Sequence, residues 1–232
     1  MTKLIQCCGI CWWGFFLLIG QNASAMANLI ANGDFENGTN GWAIAIGVEA
    51  GAVLATNTAA QSPFSTGSAG FQMTDGSVNA SQNIINDFGA QADGQYELSF
   101  DYMMLAANNS IWLGRIRNTT STDVSFDFTI GTNFLKVGTT SVATGLSVGT
   151  WYRVSMILDS AADKVLSGSI TPYGGSATTW GVIASSNTTA QIKSLQILDT
   201  SSPNVAPSIY LDNVKLVPFS EAVRRISLVV IH

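Results

Sequence analysis

Apolar and polar positions alternate along much of this chain. Tyr96, Leu98, Phe100, Tyr102 and Met104 occupy every second position, with Glu97, Ser99, Asp101 and Met103 between them. A strand presents successive side chains to opposite faces, so this run predicts a strand with one buried face. Val124, Phe126, Phe128 and Ile130 repeat the pattern against Ser125, Asp127 and Thr129, as do Tyr152, Val154, Met156 and Leu158 after Gly149. Shorter runs predict strands near 29–31, 42–48, 70–73, 80–85, 111–117, 134–137, 140–143, 165–171, 191–198 and 208–217, with one weak strand within 50–70. Turn signals separate them, including Asp93-Gly94, Asn108-Asn109 and the stretch 159–164. Residues 172–190 read as a small-residue loop. No window carries a helical period. Short strands at regular spacing indicate an all-β, antiparallel two-sheet sandwich or barrel, and the length suits one domain.

The first 25 residues stand outside this pattern. Lys3 precedes an apolar run from Cys8 to Gly20, and Ala23-Ser24-Ala25 supplies small residues for cleavage. That is the arrangement of a secretory signal peptide, and the run is short for a membrane span of ~20 residues. Residues 26–217 then form the domain, and 218–232 a loose tail. All three cysteines, Cys7, Cys8 and Cys11, leave with the signal segment, so the mature domain has no disulfide and no thiolate. The expected location is secreted or cell-surface, with no membrane contact after cleavage. A formal net charge of −5 argues against nucleic acid as a partner.

Candidate chemistry is sparse. The one histidine, His232, is the last residue, which removes support for a triad or an imidazole-based metal site. Glu97 and Asp101 share a strand face but stand ~13 Å apart, too far for a glycosidase carboxyl pair. The domain is therefore expected to be non-enzymatic. Sugars stack on exposed aromatic rings and hydrogen-bond to planar polar groups. Trp112, with Arg115 in the same strand, and Tyr173 and Trp180 in the small-residue loop are the ligand-binding candidates, whereas Trp42 and Trp151 read as core.

The two ends of the domain carry the most specific signal. Near the start stands Asn28-Leu-Ile-Ala-Asn-Gly-Asp34-Phe-Glu36, followed by Gly41-Trp42; near the end stands Ile209-Tyr-Leu-Asp212-Asn-Val-Lys-Leu216. Continuous alternation would put Tyr210, Asp212, Val214 and Leu216 on one face. A carboxylate in such a row needs a cation or strong donors. Asp34 and Glu36 would complete a hard-cation site if the ends meet. Otherwise Asp34 and Glu36 cap a turn, and Asp212 bonds to backbone donors.

These stretches resemble the jelly-roll carbohydrate-binding modules of secreted bacterial glycosidases, a galactose-binding-like fold. The resemblance covers about 25 residues, and it implies a structural Ca²⁺ held by Glu36 and Asp212. The middle, Gly149-Thr-Trp-Tyr-Arg-Val-Ser155 running into Asp159, is closer to laminin-G and concanavalin-like lectin sandwiches. Both imply two packed antiparallel sheets, with different topologies. The expected function is recognition of a polysaccharide or cell-surface glycan. The alternative is an extracellular structural or adhesion domain with no sugar site.

Overall fold

The computed structural model describes residues 26–45, 53–57, 60–74, 83–105, 111–118, 124–185, 191–200 and 208–219. The expected signal segment and all but the start of the expected tail lie outside them. The described residues form an all-β sandwich of two antiparallel sheets. The first sheet runs in the order β1 (Ala43–Ala45), β4 (Asn83–Gln91), β14 (Ile192–Asp199), β6 (Ile111–Arg117), β7 (Val124–Gly131), β8 (Phe134–Val137) and β9 (Thr140–Thr144). The second runs β12 (Thr178–Trp180), β11 (Lys164–Pro172), β10 (Tyr152–Asp159), β5 (Gln95–Met104), β15 (Ser208–Pro218), β3 (Gly70–Thr74) and β2 (Val53–Asn57). A short β13 (Ile183–Ala184) pairs with β11 outside that path.

The inner faces supply the core, and the alternation sets which side chains reach it. Leu98, Phe100, Tyr102 and Met104 of β5 meet Phe126, Phe128 and Ile130 of β7 in one buried cluster. Phe100 stacks on Phe128 across the sandwich, with centroids 4.9 Å apart. Burying each such side chain is worth about 1.5–3 kcal/mol. Gly114 lets the sheet close over Phe128, because a Cβ there would fall 1.9 Å from its ring.

Residues 29–31 differ from expectation. They pair with the opposite end of the chain yet form bends rather than a ladder strand. The Leu29 amide donates to the Leu216 carbonyl, and the Val214 amide to that of Gly33. The Asn28 side chain breaks regular pairing by accepting from the amides of both Ile30 and Leu216. Asn32 (φ 48°) and Phe35 (φ 54°) then turn the backbone through the left-handed region. For a bulky residue such as Phe35 that geometry costs of the order of 1–3 kcal/mol. Its ring, fully buried between Trp42 (5.4 Å) and Phe71 (4.9 Å), offsets the strain.

The end of the chain departs from continuous alternation. Ile209 and Leu211 point inward, and so do Val214 and Leu216, because a bulge between Asp212 and Lys215 shifts the register by one residue. Asn213 adopts φ 51° at this point. Tyr210 and Asp212 consequently lie on the outer side, opposite Val214 and Leu216.

Candidate functional site

The outer face of the second sheet carries the most chemistry. Arg153 of β10 lies directly across from Asp101 of β5, and Asp101 across from Asp212 of β15. The Arg153 guanidinium forks onto Asp101, Nε to Oδ1 at 2.8 Å and Nη2 to Oδ2 at 2.9 Å. The Asn213 side chain donates to the same Oδ2 at 2.8 Å. The bond to Asp101 holds the Arg153 pKa above its ordinary value.

A loop spanning 60–69 folds over this row and leaves Asp101 and Asp212 without solvent exposure. Three side chains fasten it. Asp212 Oδ2 accepts from the Ser62 amide at 2.8 Å, and its Oδ1 from the Asn213 amide at 2.6 Å. Arg153 Nη2 donates to the Phe64 carbonyl at 3.2 Å, and the guanidinium lies 4.7 Å from the Phe64 ring centroid. Glu36 accepts from the amides of Ser68 and Ala69 and from the Ser68 hydroxyl. Those donors, the hydroxyl first, lower the Glu36 pKa. Burial pushes Asp212 up to about 6; its two backbone donors oppose this, and the charges of Asp101 and Glu36 add to it.

The structure therefore brings Glu36 and Asp212 to one loop. Asp34, the third expected ligand, is exposed on the turn that drives Phe35 inward. Among the described residues no group of three or more His, Cys, Asp or Glu side chains is arranged to hold a metal ion. Asp212 and Glu36 keep unused acceptor sites even so. Each carboxylate offers about four acceptor sites, of which Asp212 uses two and Glu36 three. Asp101 and Asp212 act on the Arg153 guanidinium, and Glu36 acts on Asp212 from the far end of the loop.

Beside this cluster the outer face carries an arc of aromatic rings. Trp151 precedes β10 and stacks on Tyr210 of β15 at 6.2 Å. The Tyr173 amide donates to the Trp151 carbonyl, which sets Tyr173 beside Trp151 across the strand pair. Tyr173 meets Phe64 edge-on at 5.4 Å and is 58% exposed. Arg153, two positions beyond Trp151 and on the same side, borders the arc with its side chain 41% exposed. Its Nη1 makes no hydrogen bond among the described residues, while the guanidinium itself lies against the Phe64 ring.

The four expected ligand-binding residues do not converge. Trp112 is fully buried, because its phase in β6 is that of Ile116 and Gly114 in the core, and it cannot stack on a ligand. Arg115 lies on the outer side of the first sheet, one sheet away from the arc. Trp180 belongs to the edge strand β12 rather than to a loop, and its indole lies over Gly168, half-buried against the core. Tyr173 alone joins the arc. Trp151, expected in the core, is half-exposed there with Tyr210 and Phe64. Trp151 follows the phase opposite to Tyr152, a signal the alternation already carried; Phe64, in a loop without periodicity, gave none.

No protein-family model matches the chain, and no curated protein matches it. Solved structures do resemble it. The catalytic domain of a glycoside hydrolase family 131 protein from Coprinopsis cinerea superposes with a TM-score of 0.60 at 13% identity, over 83% of this chain and 95% of that one. A carbohydrate esterase from Shiga toxin-encoding bacteriophage phi24B gives 0.55 at 14% identity, over 84% and 100%. Peanut lectin gives 0.50 at 12% identity, over 81% and 97%. The likeness is one of fold, a sandwich that carries both lectins and carbohydrate-active enzymes.

Proposed function

We propose that this domain is a secreted, non-catalytic module that binds a polysaccharide or cell-surface glycan on the aromatic arc of Trp151, Tyr210, Tyr173 and Phe64. The observation that carries this reading is the continuity of four partly open rings with the free Nη1 of Arg153. Ring faces take the C–H faces of a sugar, and a planar donor takes its hydroxyls. The carboxylates nearby favour binding over catalysis. Both Asp101 oxygens are engaged beneath the loop, and Asp212 is buried beside it, so neither faces a substrate on the arc. Lectins and carbohydrate-active enzymes among the structures of like fold raise the prior for a sugar ligand, although a fold alone does not fix function.

In this reading a Ca²⁺ ion is held by Glu36 and Asp212 with backbone carbonyls. It would neutralise the excess carboxylate charge and tie the loop to both ends of the domain. The test is a polysaccharide pull-down of the protein and of Trp151→Ala, beside melting curves with and without chelator. Retention lost in the variant at an unchanged melting temperature supports the arc. Retention by neither protein, or equal retention by both, overturns it. A melting temperature indifferent to chelator and to added Ca²⁺ overturns the metal.

A further inference from the structure

We infer that the arc selects uncharged sugars and rejects uronic-acid polymers, with Arg153 as the residue that determines this specificity. The inference rests on the proposed glycan site and adds the class of its ligand. An arginine at a sugar site would ordinarily invite a carboxylate, since its fork matches one bidentately. Here that fork is already filled. Nε and Nη2 are committed to Asp101, and Nη2 also to the Phe64 carbonyl. Only Nη1 remains, with donors for hydroxyls or ring oxygens and no second arm for a carboxylate.

The surrounding charge points the same way. Asp101 cancels the guanidinium at hydrogen-bonding distance. Asp212, one strand further on, and Glu36, at the far end of the same loop, add negative charge, and among the described residues Arg153 is the one cation paired with any of the three, Lys215 standing exposed one outward position further along the face. Three carboxylates and one guanidinium leave a net charge near −2, and a bound divalent cation would bring it to zero. Within the cluster, neither state offers a ligand carboxylate net positive charge. Desolvating it against the arc would be opposed. A neutral sugar pays no such penalty.

The test compares retention of the purified protein on neutral matrices (cellulose, xylan, galactan and mannan) with retention on polygalacturonate and alginate, each at low and high salt, with and without chelator. The expected result is retention on at least one neutral matrix, unchanged by salt, and none on the acidic ones. Arg153→Gln should weaken the neutral interaction at least about tenfold, as for loss of a hydrogen bond from a charged donor. That substitution strands Asp101, so the paired variant Asp101→Asn/Arg153→Gln serves as a second version in which Asp101 no longer carries an unpaired buried charge. Retention on an acidic matrix that falls with salt overturns the inference while leaving a glycan-binding arc in place. Undiminished binding by a folded Arg153 variant overturns the role of Arg153. No retention on any matrix sinks the glycan reading and the inference together.

Discussion

Two tryptophans in this domain are each followed by an arginine, and one residue of spacing separates their fates. In β6, Trp112 and Arg115 stand three apart, so a period of two sends them to opposite faces. The indole disappears into the core and the guanidinium faces outward on the first sheet. At the start of β10, Trp151 and Arg153 stand two apart, and both reach the outer face of the second sheet. The residue types are the same, although Trp112 is flanked by Ile111 and Leu113 and Trp151 by Thr150 and Tyr152. Parity decides whether the pair shares a face, and so which pair makes a surface with chemistry and which is divided between packing and solvent.

The strongest way to break this contrast is to truncate both indoles. Trp112→Ala should cost about 3–5 kcal/mol, as for other large core side chains, and lower the melting temperature sharply. Trp151→Ala should cost under about 1 kcal/mol while abolishing polysaccharide retention. Denaturant melts beside a pull-down check both, and comparable losses of stability would erase the distinction. Gly114→Ala tests the buried strand from the other side. Its methyl would collide with the Phe128 ring, so a loss of about 1–3 kcal/mol is expected.

The outer face makes a pH-dependent prediction. Folding raises the Asp212 pKa from 3.8 to about 6. Between those values the folded chain holds a proton that the unfolded chain releases, so stability should fall as pH rises through the window and level off above it. Melting temperatures recorded in chelator against pH should show this decline, and Asp212→Asn should flatten it. An unchanged slope in the variant would assign the decline elsewhere. The smallest effect belongs to Arg115→Ala, which should leave glycan retention unaltered and stability within about 0.5 kcal/mol. Lost retention there would move the site to the first sheet.

The sandwich was legible because alternation is a local property, repeated in β5, β7 and β10 over enough residues to fix which side is buried. The meeting of the two ends was legible too, through Asn28 and the stretch 209–216. Alternation misled where its phase slipped. The bulge after Asp212 returns Val214 and Leu216 to the core and leaves Tyr210 and Asp212 outside, and no composition cue marks a one-residue insertion. The arc was illegible for another reason. Its rings come from residues 64, 151, 173 and 210, and only the order of strands in the sheet and the fold of the 60–69 loop over it bring them together. Trp112 was the avoidable error, since three residues to Arg115 already denied the two a common face.

The clasp made by Asn28 has a consequence for how this unit travels. Its side chain holds Leu216 and Val214, so residues 28 and 216 lie at one spot of the sandwich. A host protein could receive residues 28–219 as a cassette spliced into a single exposed loop, with the two points of the loop scarcely parted.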